Sequence, residues 1–502
     1  MQNDQSTKLA SAHIHEVVTE DRDHADNLVS TSHELVTSSG TVVAYTATVG
    51  TMLVGEETTS SDGTYDGVHP KAHVFITSYV CDNDGGQERP VTFVFNGGPG
   101  SPSLWLNLGL FGPRRVVACD VDSESPLRFG LEDNPETMLT ETDLVFIDPM
   151  MTGYSRPVAG TDPDDSLGYL GDRNLVADVI RLWTTRNERW LSPKFLAGES
   201  YGTLRAAALA GHLSERHNMA FNGVILLSSV LDMGASHFTE ENDVPYVTYL
   251  PTYAAIAWYH GFHEGQDLPD LVREAEEFAS TDYMVALARG ARLSESERQT
   301  IADRVAQLSG LDIDYVLRAN LRIEHRHFFA QLLRTRGLAV GRLDARFTAP
   351  PGDLNRDVID VDPSYRAIQF PYAAAANHYF QAELKYEPDV PYEILTDRVK
   401  PWSYAEFENA SVTAAENLAR VMRTNPVMKV YVAFGYFDGA TPFAAAEHTL
   451  AHLRIPDDLR SNITREYYEA GHMMYVHEPS RIAQSEHISS FIRSATRVEE
   501  AN

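Results

Sequence analysis

Short, almost wholly apolar runs recur through the first half of the chain, separated by stretches in which apolar positions return every three or four residues. Residues 41–54, 73–80, 91–95, 143–147, 194–197 and 223–227 have the length and the β-branched, aromatic content of strands, and 174–190 and 202–216 carry helical spacing. Apolar strands that alternate with helices predict a mostly parallel sheet covered on both faces. The texture then changes. Between about 235 and 416 helical periodicity dominates, with Ser294 and Glu297 spaced as a capping box at the head of an amphipathic segment, 295–308, and the same pattern repeated over 313–334. Two more strand-like runs, 429–435 and 463–467, follow. The pattern divides the chain into a polar N-terminal tail (1–38), the first part of an α/β core (39–234), a helical insertion placed as a cap (235–416) and the second part of the core (417–502).

The residues with chemical potential cluster just after predicted strands. Gly198-Glu199-Ser200-Tyr201-Gly202 follows the run at 194–197 and opens an alanine-rich helix, the context of a nucleophile elbow, where the glycines permit a tight turn that leaves the Ser hydroxyl clear. A Ser hydroxyl is a weak nucleophile until an imidazole takes its proton, and the imidazole needs a carboxylate to fix its tautomer. Asp438, in a turn after 429–435, and His472, in Ala470-Gly471-His472 after 463–467, supply both, in the order Ser, Asp, His expected of an α/β-hydrolase. The strand at 91–95 runs into Asn96-Gly97-Gly98-Pro99-Gly100, whose backbone N–H groups could form half of an oxyanion hole, with the N–H of Tyr201 as the other half. Read alone, that loop is equally well a tight turn.

Together Asn96-Gly97-Gly98-Pro99-Gly100, Asp148-Pro149 with Gly153-Tyr154-Ser155, Gly198-Glu199-Ser200-Tyr201, Asp438 and Ala470-Gly471-His472 resemble the signature blocks of the serine carboxypeptidases, the group of carboxypeptidase Y and cathepsin A. The resemblance implies Ser200 as nucleophile, His472 as general base and acid, Asp438 as its orienting partner, and the N–H groups of Gly98 and Tyr201 as the oxyanion hole. It also implies that Asn96, the N–H of Gly97 and Glu199 hold the free carboxylate of a peptide substrate, with no cofactor. The chain departs from the family at several points. Ser101 stands where many members have Cys, and the chain has two cysteines, Cys81 and Cys119, so a disulfide framework is absent and two free thiols are expected. The acidic residue that often follows the glycine loop has no counterpart in Leu106–Arg115. Gly202-Thr203-Leu204-Arg205 replaces a more usual Ala-Gly run, and Ser228-Ser229 replaces a Gly-Asn pair. These point to a divergent branch, of bacterial type.

A formal net charge of −30, with six Lys among 41 basic residues, excludes nucleic acid or an anionic membrane as an expected partner. Neither a signal-peptide apolar region nor an 18-residue apolar run occurs, which reads as a cytoplasmic protein. No metal is assigned, because neither His13-Ile14-His15-Glu16 nor Glu324-His325-Arg326-His327 has a ligand spacing that defines a site. The aromatic run Tyr246, Tyr249, Tyr253, Trp258 and Tyr259 reads as packing ahead of a pocket lining, and Gly341-Arg342-Leu343-Asp344-Ala345-Arg346 as a charged turn held by an ion pair. The expectation is a serine carboxypeptidase acting on peptides, with a homodimer left open. An esterase, acyltransferase or aminopeptidase on the same fold is the enzymatic rival, and a catalytically silent binding protein the rival of another class.

Overall fold

The computed structural model describes residues 25–82, 86–117, 120–121 and 129–497. One sheet contains β1 (Asn27–Val36), β2 (Val42–Thr59), β3 (Tyr65–Cys81), β4 (Val91–Phe95), β5 (Asp143–Ile147), β6 (Arg156–Pro157), β7 (Lys194–Glu199), β8 (Gly223–Leu227), β9 (Lys429–Gly435) and β10 (Ile463–Tyr468). The spatial order is β1-β2-β3-β5-β4-β7-β8-β9-β10, and the short β6 pairs with β3. The strands β1, β2 and β3 pair antiparallel with their neighbours. From β5 across to β10 every pairing is parallel.

Every residue of β4, β5, β7 and β8 is buried. Strands lose all their side chains to the interior when both faces of the sheet are covered, which is why these runs show no polar alternation. The principal helices are α1 (Gly168–Arg186), α2 (Tyr201–His217), α3 (Val244–Tyr259), α4 (Glu295–Ser309), α5 (His325–Gln331), α6 (Pro363–His378), α7 (Ala415–Thr424) and α8 (Glu478–Thr496). Phe93, Leu196 and Leu226 pack on one face with Ile180 of α1 and Leu204 of α2. On the other face Phe195, Ile225 and Leu227 pack with Phe491 and Ile492 of α8 and Tyr372 of α6. A mostly parallel sheet between helical layers is the α/β-hydrolase arrangement that the order of motifs predicts.

Three differences from the sequence reading have local causes. The N-terminal segment, expected as a polar tail to residue 38, contains β1, an edge strand whose inward positions are Val29, Thr31, His33 and Leu35. An edge strand turns half its residues inward, and here half of those are polar and only Leu35 is buried; His33 contributes by stacking on Tyr45 at 5.4 Å. The helical pattern at 313–334 breaks into Ile313–Arg318 and α5, because Asn320 and Leu321 take positive φ, 54° and 66°. Helix α1 begins at Gly168, earlier than its periodicity shows. The capping box forms as expected: Glu297 accepts the Ser294 N–H at 2.8 Å while Ser294 Oγ accepts the Glu297 N–H at 3.3 Å. No helix among the described residues is long and apolar enough to cross a membrane.

Candidate active site

Strand β7 passes into α2 through Ser200, which has φ 60° and ψ −129°. A non-glycine residue held there stores on the order of 1–3 kcal/mol of strain and persists because its surroundings enforce it. One constraint is the hydrogen bond from the Ser200 N–H to the Leu227 carbonyl at 3.0 Å. Another is close approach: a Cβ on Gly198 would lie 2.1 Å from the Gly202 carbonyl oxygen, so no larger residue lets the chain double back. Tyr201 is the first residue of α2, and its N–H has no acceptor within the helix. The loop after β4 lies against this turn, since a Cβ on Gly97 would come within 2.5 Å of Tyr201 N. Gly98 takes φ 107°, a conformation that disfavours side chains.

The Asp–His pair comes from the ends of β9 and β10. Asp438 is inaccessible to solvent and accepts the N–H of Ala440 at 2.8 Å, the N–H of Thr441 at 3.0 Å and the Thr441 hydroxyl at 2.6 Å. Its Oδ2 lies 2.8 Å from His472 Nδ1. Burial of His472 lowers its pKa, but the charge and hydrogen bond of Asp438 and the charge of Glu199 outweigh that and leave it raised. The backbone of His472 is pinned on both sides: its N–H donates to the Leu343 carbonyl at 2.6 Å, and the Ser228 hydroxyl donates to its carbonyl at 2.6 Å.

Glu199 is buried beside Ser200, and its Oε1 accepts from Asn96 Nδ2 at 2.9 Å. Oε2 is buried without a hydrogen bond, and the nearby Tyr475 hydroxyl closes none to it in this geometry. Burial pushes the Glu199 pKa up to about 7, against the lowering influence of the His472 charge and the Asn96 hydrogen bond. Asn96 is itself held from two sides, since its Oδ1 accepts the Leu106 N–H at 3.1 Å and its carbonyl accepts from Arg205 Nη1 at 2.6 Å. Arg205 pairs with Asp172 at 2.6 Å, both inaccessible or nearly so. Asp148, whose pKa burial raises to about 7, accepts the Ser103 N–H at 2.7 Å and so anchors the far end of the glycine loop.

Ser200, His472, Asn96, Gly97, Gly98 and Glu199 line one cavity of about 420 Å³. Asp438 lies behind His472 and Tyr201 beside Ser200, so every residue expected at the site is brought to one place. Residues 235–416 supply much of the remaining wall, including Tyr249, His325, Arg326 and Arg342. Of the aromatic run, Tyr249 lines the cavity, whereas Tyr253 is packed, stacking on Phe328 at 4.0 Å. The charged turn has its ion pair, Asp344 with Arg346 at 2.6 Å, and it also carries Leu343, which holds the His472 backbone. Arg205, Ser228 and Leu343 were not foreseen as supports of the site. The first two fall at positions where the sequence departs from the family pattern, the one signal available. Cys81 is a free thiol; Cys119 and His13-Ile14-His15-Glu16 lie outside the described residues.

A profile of the family described as serine carboxypeptidase matches residues 66–472, most of the chain. The chain belongs to the serine carboxypeptidase family. Among solved structures, the prohormone-processing carboxypeptidase Kex1ΔP of Saccharomyces cerevisiae shares 14% identity over 89% of this chain and 91% of that one, with a TM-score of 0.52. The peroxisomal α/β-hydrolase Lpx1 of the same yeast gives 10% identity over 95% and 93%, TM-score 0.33. A thermostable esterase of Pseudomonas putida gives 11% over 90% and 84%, TM-score 0.34. No curated protein matches significantly. The serine carboxypeptidase family and the Kex1 likeness agree with the sheet order in giving the chain an α/β-hydrolase fold.

Proposed function

We propose that this member of the family is a serine carboxypeptidase that releases C-terminal residues from peptides through an acyl-enzyme. The observation that carries the reading is the buried Asn96–Glu199 pair, 2.9 Å apart, in the same cavity as Ser200 and His472. A carboxyl group with its pKa near 7 keeps a proton to donate, so it accepts a second carboxylate beside it where an ionised one would repel it. A generic esterase has no use for such a group.

The terminal carboxylate of the peptide is held by Asn96, the Gly97 N–H and Glu199, which sets the last peptide bond over Ser200. His472 takes the Ser200 proton as Oγ adds to the carbonyl carbon, and the oxyanion forms against the N–H groups of Gly98 and Tyr201. Collapse breaks the C–N bond, and His472 passes the proton to the departing amine. Water then adds to the acyl-enzyme by the same route and restores the Ser200 hydroxyl. Asp438 keeps Nδ1 protonated throughout, so that Nε2 faces the reaction. The helical insertion, 235–416, acts as a cap that limits entry to a chain end.

The test has two parts. A fluorophosphonate probe should label Ser200 in the folded protein and leave Ser200→Ala unlabelled; absence of labelling would favour a silent binding protein. N-blocked dipeptides should be cleaved in preference to their C-terminal amides. Equal rates on acid and amide would instead support an esterase or aminopeptidase.

A further inference from the structure

The chain is strongly acidic, yet the cap side of its cavity is cationic. Arg342 and Arg326 supply the charge, with His237 and an uncharged His325 beside them, and the one carboxyl group in the lining among the described residues is Glu199, contributed by the sheet. Arg342, half-buried at the cavity wall, differs from the fully buried arginines. Arg189 pairs with Asp143, Arg205 with Asp172, and Arg346, in the same turn, with Asp344. Arg342 has no such partner among the described residues, and its Nη1 is buried without a hydrogen bond. Its backbone is fixed, the N–H donating to Asp362 at 3.1 Å and the carbonyl accepting the Gly439 N–H at 3.0 Å, so the guanidinium is presented from a rigid turn next to the Asp438 loop. Its charge reaches the cavity: it opposes protonation of both His472 and His325.

A guanidinium N–H withdrawn from water without an acceptor is costly, and a planar carboxylate is the partner that satisfies it best. The terminal carboxylate of the substrate already has Asn96 and Glu199. We infer that Arg342, assisted by Arg326, receives a second carboxylate, the side chain of an Asp or Glu residue flanking the scissile bond, and makes the enzyme selective for acidic peptide ends. This rests on the carboxypeptidase reading for its substrate class, and on the cavity alone for its chemistry. Arg342 is thus a specificity-determining residue and takes no part in the bond-breaking steps.

Two measurements separate the failure of either idea. The first is kcat/KM for N-blocked dipeptides carrying Glu or Gln on the acyl side, and in a second series on the leaving side, for wild type, Arg342→Met and Arg342→Lys. Wild type should favour Glu over Gln by on the order of tenfold or more in one series. Arg342→Met should bring that ratio to about one, and Arg342→Lys should restore part of it. A merely structural role would slow both substrates alike and leave the ratio unchanged, which would overturn the proposal. The second is calorimetric binding of the same peptides to Ser200→Ala, with and without Arg342→Met, which reads the site whether or not peptides are cleaved. Preference for Glu in binding without hydrolysis of any peptide would remove the carboxypeptidase reading and keep the acidic subsite. Equal binding of Glu and Gln peptides would remove the subsite. Loss of the preference for free acid over amide in Arg342→Met, equal for Glu and Gln peptides, would mean that Arg342 holds the terminal carboxylate, and the proposal would be wrong.

Discussion

The sheet edge and the wall from residues 235–416 face the same cavity and are built by different means. At the edge, Asp438 has four donors and His472 is tied at both its backbone groups, so each group has one position. On the wall, His325 is held by rings, stacking on Phe238 and Tyr249 at 5.2 Å each, while its Nδ1 is buried unpaired; burial, then Arg342 and Arg326, push its pKa down to about 3. Bond making needs groups fixed to fractions of an ångström. Recognition needs a surface of the right polarity, and unpaired donors on it are open to a ligand. Substitutions at the edge should therefore act on turnover, and substitutions on the wall on the choice of substrate.

The largest effects test the edge. Ser200→Ala or His472→Ala should lower kcat by about 10⁴-fold or more with little change in KM, and the double variant should lose hardly more than either single one, because the two act as one unit. Asp438→Asn should be comparably severe, about 10⁴-fold, since an amide favours the wrong imidazole tautomer. Steady-state kinetics on an N-blocked dipeptide reads all of these, and additive losses would break the assignment of these groups to one unit.

Gly98→Val comes next. A Cβ there would lie 2.7 Å from Gly100 N at a backbone φ of 107°, so the loop must move and its donor with it. The expected loss is about 10²-fold in kcat, the scale of one missing oxyanion donor. Normal activity would take this loop out of the reaction.

Thr441→Val probes a smaller part of the same edge. The hydroxyl donates to Asp438 Oδ2 at 2.6 Å and lies 3.1 Å from His472 Nδ1. Removing a hydrogen bond to a charged group should cost about 1.5 kcal/mol, roughly tenfold in kcat, with KM unmoved. A change confined to KM would place Thr441 on the recognition side of the comparison.

The edge was more legible in the sequence than the wall, for a physical reason. Gly198, Ser200, Asp438 and His472 sit within a few residues of strand ends, and strand ends are visible as the close of an apolar run. The supports of the site come from distant segments: Leu343 reaches His472 from the insertion and Arg205 reaches Asn96 from a helix, contacts that no local pattern encodes. Arg342 illustrates the limit. Its turn showed as charged, but nothing in Gly341–Arg346 said that Arg346 would find Asp344 while Arg342 would face a cavity. Strand β1 was missed because an edge strand needs little hydrophobicity on its inner side.

Glu199 sits where the two regions meet, and its titration gives the smallest effect. With its pKa raised to about 7 by burial, Glu199 carries its proton in acid and loses it as pH rises through that value. On the proposed reading the protonated form donates to the substrate carboxylate, whereas the ionised form repels it, so binding should be favourable below about pH 7 and weaken above it. The substrate's own charge raises the Glu199 pKa further in the complex, which places the Glu199 break in KM at the free-enzyme value. KM for a free-acid dipeptide should climb several-fold per pH unit above that break, and KM for the corresponding amide should not. Glu199→Gln keeps a donor at every pH and an oxygen to accept from Asn96, so its KM profile should lose the alkaline rise. Identical profiles for wild type and Glu199→Gln would mean that Glu199 belongs to the fixed edge alone and holds no substrate carboxylate.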